Sequence, residues 1–440
     1  MSLEPPTTVG KLQGVLRAKA KEKPSYRFYA LYDKVYRSDV LMHAYKRCRQ
    51  NKGAAGVDGQ TFEDIESSGR EQWLDELAQE LKEKTYRPAA VKRVWRLKAD
   101  GTKRPLGVPT IRDRVVQMAT VLVIEPIFDE DLQPEQHAYR AKHNAHQAVR
   151  EVQFWLKRGY TEVVDADLSG YFDTIPHHEL LKCVARRISD RHVLHLIKMW
   201  LEAAVEETME SGQTERTTRN KDEGRGTPQG GVASPLLANL YMRRFVLGWE
   251  VLGHEKRLDA HIVNYADDFV ICCKPGKASE AMRVMREMMG KLQLTVNEKK
   301  TRQCQVPQEP FIFLGFSFGR QVNGITGRSY IGPNPAQKKV QAICKTIGME
   351  ASRSKTGRST EELVTKLNQI MRGWGSYFRM GNCLGAIRVV QQHTCRSLRR
   401  WLRKKHGRKG GRQSYPDMKL YEEYGLVNLR RVLVRLPLTA

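Results

Sequence analysis

Asn264-Tyr265-Ala266-Asp267-Asp268-Phe269 sets two carboxylates side by side between short apolar runs, Ile262-Val263 before them and Phe269-Val270-Ile271-Cys272-Cys273 after. Runs of that length, rich in β-branched and aromatic residues, predict two buried strands joined by a tight turn with the acids at its tip. Adjacent carboxylates repel each other and lose hydration in such a setting, so the pair calls for a cation or a donor network to compensate. A divalent metal is the obvious compensator. By itself the tetrapeptide would sooner suit a solvated turn, and its meaning depends on what else the chain carries.

A second acidic strand lies upstream. Val163-Val164-Asp165-Ala166-Asp167-Leu168-Ser169-Gly170-Tyr171-Phe172-Asp173 places acids where its apolar flanks predict burial. Side chains alternate along a strand, so Asp165 and Asp167 share one face and spacing alone does not choose between them. Between the two acidic stretches, Thr227-Pro228-Gln229-Gly230-Gly231 forms a glycine-rich loop suited to lying against a flat ligand, and Ser234-Pro235 opens a helix, where proline is favoured. After the paired aspartates, Ser279 is expected to cap a helix whose Met282, Met285, Met288, Met289 and Leu292 form a core stripe.

Upstream of these, a helix is predicted over 38–50, followed by a glycine-bearing loop, Asn51 to Gly59, that could approach a nucleic-acid strand. A packed helix follows over 69–84. Val91 to Leu97, the turn Asp100-Gly101 and the return through Lys103 to Pro109 make a hairpin in which Lys92, Arg93, Arg96, Lys98, Lys103 and Arg104 suit phosphate contact. An apolar helix to about Ile124 and another from about Asn144 to Lys157 complete this half.

The whole chain of 440 residues is long enough for two or three domains, and its formal net charge of +26 points to a polyanionic partner, nucleic acid first. Neither a long apolar run nor a signal peptide is visible, which leads to the expectation of a cytoplasmic protein with no membrane partner. The eight cysteines include no C-x-x-C pair and read as reduced core residues rather than a zinc ribbon. Phe311 to Phe318 is expected to be one strand closing the first large domain near residue 320. Beyond it, Ser359 and Glu362 make a capping box ahead of a helical face of Leu363, Leu367, Ile370 and Met371, and Gly373 to Phe378 is expected to interrupt that helix. From Arg396 to Arg412 there are nine Lys and Arg and no acid, with Trp401 interleaved. A solvated helix normally alternates signs, so this run favours RNA or DNA contact through Arg396, Arg399, Arg400, Arg403, Lys404 and Lys405.

In order and spacing these motifs resemble the reverse transcriptases encoded by bacterial group II introns, from about Asn51 to Tyr424. The resemblance implies an α/β (α+β) right-hand polymerase: an N-terminal extension (1–50), fingers (51–160), a palm with a small antiparallel sheet (161–320), an α-helical thumb or maturase X domain (330–405) and a short basic tail (406–440). It selects Asp167 over Asp165, so that Asp167, Asp267 and Asp268 become the catalytic ligands of two Mg²⁺ ions. Lys98, Arg104, Phe172, Gln229, Asn297 and Lys299 become the nucleotide-binding set, with Phe172 a steric gate against the 2′-hydroxyl. The implied activity is RNA-directed DNA polymerisation that copies intron RNA during mobility, and the implied partners are group II intron RNA, an RNA template with a DNA or RNA primer, target DNA and dNTPs. A splicing cofactor without polymerase activity, or an intron-independent enzyme of repair or defence, are the alternatives. The family's longer members end in a Cys- and His-bearing endonuclease domain that is not seen before Ala440, so second-strand cutting is not expected.

Overall fold

The computed structural model describes residues 3–97, 101, 103–209, 211–322, 326–407 and 412–435. Its strands are β1 (Val91–Leu97), β2 (Lys103–Val108), β3 (Glu162–Ala166), β4 (Val205–Thr208), β5 (Thr214–Thr217), β6 (Ala260–Tyr265), β7 (Asp268–Cys273), β8 (Arg302–Gln305), β9 (Phe311–Phe313), β10 (Phe316–Val322) and β11 (Ser329–Pro335). The fold is mixed α/β, with small sheets and a helical C-terminal region. The chain divides into two interleaved units, one of Met1–Asn144, Ala166–Phe269 and Ser279–Thr301, the other of Ala145–Asp165, Val270–Ala278 and Arg302–Ala440.

The first unit is built on the Ile111–Asp129 helix, which is buried on nearly all sides and capped by Thr110, whose hydroxyl accepts from the Asp113 amide at 3.1 Å. Apolar patterning accounts for its first part. The helix continues past Ile124 and through Pro126 because Ile127 and Phe128 are both fully buried, so packing overrides the local preference of proline. The Thr7–Glu22 and Ser38–Gln50 helices lie against it. A sheet in the order β2-β1-β4-β5 carries the expected basic hairpin, with Lys92 opposite Val108 and Leu97 opposite Lys103. The loop from Asn51 to Gly59, expected to approach nucleic acid, folds onto the chain itself: a Cβ on Gly56 would meet the Thr110 Cα at 2.7 Å, and Arg114 donates to the Ala54 carbonyl at 2.5 Å.

The Ser234–Val251 helix, with proline in its first turn, supports the acidic turn from below. Its Trp249 donates to the Ala260 carbonyl at the start of β6 at 2.9 Å, and its Phe245 ring lies 5.2 Å from that of Phe269. The methionine stripe is core as expected, except that Met282 is partly exposed and Val284 takes its place. Ser279 does not cap this helix, which runs Ala278–Lys291 and so takes Ser279 into its first turn.

In the second unit β3 pairs antiparallel with β8, and β11-β10-β9 form a separate sheet. Phe311 to Phe318 is two strands rather than one. Leu314 and Gly315 hold φ of 50° and 81°, which reverses the chain and pairs Phe316 with Phe313. The helices Gln337–Glu350, Thr360–Tyr377 and Leu384–His406 pack around Leu363, Leu367, Met371, Leu398 and Trp401. Ser359 caps the second of them by accepting from the Glu362 amide at 3.1 Å. Gly373 to Phe378 does not interrupt that helix, which runs on to Tyr377. Gly375 is buried there, the Trp374 and Phe378 rings pack tilted with centroids 5.0 Å apart, and the Tyr377 hydroxyl donates to the Leu314 carbonyl at 2.9 Å. Among the described residues no helix is long and apolar enough to cross a membrane.

Candidate active site and a basic helical face

The acidic turn is the two residues Ala266 and Asp267 between β6 and β7. Ala266 is buried and holds φ at 60°, a left-handed conformation that costs a non-glycine residue roughly 1–2 kcal/mol. Buried Asn264 fixes it by donating from Nδ2 to the Ala266 carbonyl at 2.8 Å. Asp267 is half-buried and Asp268, the first residue of β7, is exposed. The expected acid-tipped hairpin is therefore present.

Asp165 and Asp167, equivalent by spacing, have different surroundings. Strand β3 ends at Ala166. Asp165 faces Arg302 across the β3–β8 pair, where the Arg302 Nε lies 3.4 Å from its carboxylate. Asp167 stands just past the strand and accepts from Asn297 Nδ2 at 2.9 Å and from Lys300 Nζ at 3.2 Å. Its backbone is also held, since the Asn297 amide donates to the Asp167 carbonyl at 2.8 Å and the Asp167 amide lies 3.3 Å from the Thr301 hydroxyl. Residues 297 to 301 form one helical turn, closed by the Thr301 amide on the Asn297 carbonyl at 2.8 Å. On such a turn positions i, i+3 and i+4 share a face. That geometry brings Lys300 and Thr301 to Asp167 beside Asn297; Lys299 is exposed.

The glycine-rich loop joins the basic hairpin to Asp173. Arg104 on β2 donates from Nε to Gln229 Oε1 at 2.8 Å, and Gln229 Nε2 lies 3.5 Å from the Asp173 carboxylate. Burial pushes the Asp173 carboxyl up, opposed by the positive charges of Arg93, Arg104 and Arg219. Gly230 is required here: at φ 111° a Cβ would sit 2.4 Å from the Gly107 carbonyl oxygen of β2. The loop thus closes on the chain's own hairpin as well as offering a surface. Phe172 is only 6% exposed, edge-on to Tyr171 at 5.7 Å. Lys98 lies outside the described residues. Asp173, Lys300 and Thr301 carry no recognisable motif by themselves; the i, i+3, i+4 spacing from Asn297 is the signal that would have found the last two.

Carboxylate oxygens are hard donors that suit Mg²⁺, and the Lys300 ammonium on Asp167 marks that carboxylate as a site for positive charge. Among the described residues no three acidic, histidine or cysteine side chains are drawn into a ready cage. Mg²⁺ takes most of its ligands from water and phosphate and needs only one or two carboxylates, so Asp167, Asp267 and Asp268 fit it by their chemistry.

Residues 96–318 match the reverse transcriptase (RNA-dependent DNA polymerase) family, and residues 340–417 match the group II intron maturase-specific domain. The chain belongs to the group II intron reverse transcriptase and maturase family. It is 32% identical to the group II intron-encoded protein LtrA of Lactococcus lactis, over 84% of this chain and 74% of LtrA. It is 32% identical to protein YkfC of Escherichia coli, over 70% of this chain and 87% of YkfC. A shorter stretch, 20% of this chain and 12% of the relative, is 28% identical to nuclear intron maturase 1, mitochondrial, of Arabidopsis thaliana.

Within the maturase-specific domain the basic residues of the Leu384–His406 helix differ in their surroundings. Trp401, interleaved among them, is fully buried in the core. Arg399 donates to the Tyr415 carbonyl at 2.7 Å and pairs with Asp417, while Lys405 donates to the carbonyls of Thr356 at 3.1 Å and Arg358 at 2.6 Å. These two hold the domain together. Arg396, Arg400, Arg403 and Lys404 are exposed. The first three line, with Arg353, Arg399, Arg412 and Asp417, a cavity of about 510 Å³.

Proposed function

We propose that this protein is a Mg²⁺-dependent RNA-directed DNA polymerase that binds a group II intron RNA, assists its splicing and copies it into cDNA at a target DNA. One observation carries the reading: a single compact unit holds the acid-tipped turn, the Asp167 carboxylate with its Asn297 and Lys300 donors, and the Arg104–Gln229–Asp173 chain. Similarity to the group II intron-encoded LtrA supports intron RNA as the partner.

In this mechanism the primer 3′-hydroxyl attacks the α-phosphorus of a dNTP and pyrophosphate leaves. Asp167, Asp267 and Asp268 would hold two Mg²⁺, which when bound would lower the hydroxyl's pKa and balance charge on the leaving oxygens. Asn297 and Thr301 keep Asp167 in one orientation, so its ligand geometry is set before substrate arrives. Gln229 takes the Nε of Arg104 and leaves the other guanidinium donors available for triphosphate oxygens. Lys98 and Lys299 complete the cationic set for the nucleotide, and Phe172 lies under its sugar. Primer extension on an RNA template, with and without Mg²⁺, tests the reading. Extension requiring Mg²⁺ and dNTPs is expected, and none at saturating Mg²⁺ would reduce the protein to an RNA-binding splicing cofactor.

Phe172→Val opens space beneath the sugar without touching an acid. It is expected to raise rATP use relative to dATP by about tenfold or more in single-nucleotide extension, the scale of discrimination by a few buried carbons. An unchanged ratio would make the ring a core residue only.

A further inference from the structure

The segment from Glu135 to Arg140 is tied to the strand that ends in the acidic turn. The Asn264 amide donates to the Glu135 carbonyl at 2.9 Å, the His137 amide donates to the Asn264 carbonyl at 3.0 Å, and Gln136 pairs with Asn264 as an isolated parallel bridge. Asp267 and Tyr139 each lie three residues beyond this parallel bridge. Buried amides lock the Tyr139 segment as Asn264 locks the acidic turn. Gln136 Nε2 donates to the Asn239 carbonyl at 3.0 Å, and Asn239 Nδ2 donates to the Ala138 carbonyl at 2.6 Å. Arg140 then closes the segment by donating to Asp129 Oδ1 at 3.1 Å and to the Gln133 carbonyl at 2.7 Å.

Tyr139 itself holds φ at 54°. For a bulky aromatic residue that is a strained backbone, and such residues persist where their surroundings over-determine them and cluster at functional sites. Burial does not explain the choice of residue, since Tyr139 is 49% exposed. The ring stands in the field of the acidic turn: desolvation raises the phenol pKa, Asp267 and Tyr265 raise it further, and Arg104 opposes them. Tyr139 also lines a cleft of about 600 Å³ whose charged residues are Arg17, Arg47, Arg140 and Lys142 with Glu125 and Asp129. A half-exposed ring beside a carboxylate-tipped turn, lining a cleft with more cations than acids, is a stacking platform for a nucleic-acid strand.

We infer that Tyr139 is a substrate-contacting residue whose ring stacks on the terminal base of the primer and so holds the 3′-hydroxyl at the Asp267 turn. The inference rests on the polymerase reading above. The primer is its occupant because Asp267, at the turn where the 3′-hydroxyl must be held, is the carboxylate acting most strongly on the Tyr139 ring, while the Arg104 shared with Asp173 leaves the triphosphate on the Asp173 side with Arg93 and Arg219.

The test uses the full chain with an RNA template and a primer ending in 2-aminopurine, without dNTP or metal, so that it reads stacking rather than turnover. Wild type and Tyr139→Phe are expected to change the probe's fluorescence alike on binding, and Tyr139→Leu to lose that change. With dNTP and Mg²⁺ added, Tyr139→Leu should slow single-turnover extension by roughly tenfold to a hundredfold at unchanged apparent dNTP affinity. Tyr139→Gly separates stacking from packing: glycine accepts the left-handed backbone, so its melting temperature should equal or exceed wild type while extension falls as in the leucine variant. A lowered melting temperature with the probe signal intact would make the ring a packing element and overturn the inference. So would a change confined to dNTP affinity. Failure of the wild type to extend any primer would instead count against the polymerase reading, while the binding signal would still decide the role of Tyr139.

Discussion

Asp267→Ala and Asp167→Ala are each expected to lower primer extension by about a thousandfold or more. A lost metal ligand removes several kcal/mol of transition-state stabilisation, and each tenfold in rate is about 1.4 kcal/mol. The comparison that gives the result meaning is Asp165→Asn. Asp165 faces Arg302 in the β3–β8 pair, whereas Asp167 is held by Asn297 and Lys300 beyond the strand end. Asp165→Asn should therefore extend within a few-fold of wild type while losing a half-exposed ion pair. Extension of Asp167→Ala within tenfold of wild type would move the catalytic role to Asp165. Measuring the melting temperature of all three variants keeps a folding defect from being read as a catalytic one.

Replacing Arg396, Arg400, Arg403 and Lys404 by Gln is expected to weaken intron RNA binding on the order of a hundredfold at physiological salt. The slope of log affinity against log salt should flatten by about three, near 0.7 for each phosphate of a single strand that is no longer neutralised. Arg399 and Lys405 stay in place because they bond backbone carbonyls of the domain itself, so their loss would mix instability with affinity. Extension of a pre-annealed primer at saturating protein should survive in the same variant. Salt titrations of RNA binding beside single-turnover extension make the check. A variant that binds RNA and supports splicing like wild type would turn this face into ordinary solvated charge.

Local signals were legible where local chemistry decides the structure. The Ser38–Gln50 helix, the β1–β2 hairpin and the acid-tipped turn follow from periodicity, turn residues and apolar flanks, and all are present. Where tertiary packing decides, the sequence misled. Phe311 to Phe318 has a strand's composition, and only the positive φ at Leu314 and Gly315 splits it. Gly373 to Phe378 has a helix-breaking composition, yet packing of Gly375 and its aromatic neighbours carries the helix through. The contacts of Lys300 and Thr301 with Asp167 needed the geometry of one helical turn. Tyr139 was invisible because its place depends on a bridge to Asn264 from a segment more than a hundred residues away in the chain.

The interleaving of the two units has a consequence for how the chain can be made and divided. A ribosome must deliver the chain through Thr301 before the first unit holds all its segments, and by then Ala145–Asp165 and Val270–Ala278 of the second are already waiting. A cut between Thr301 and Arg302 would leave β8 without its β3 partner. No single cut in the chain therefore releases either unit with all its segments, so the two can be exchanged only together.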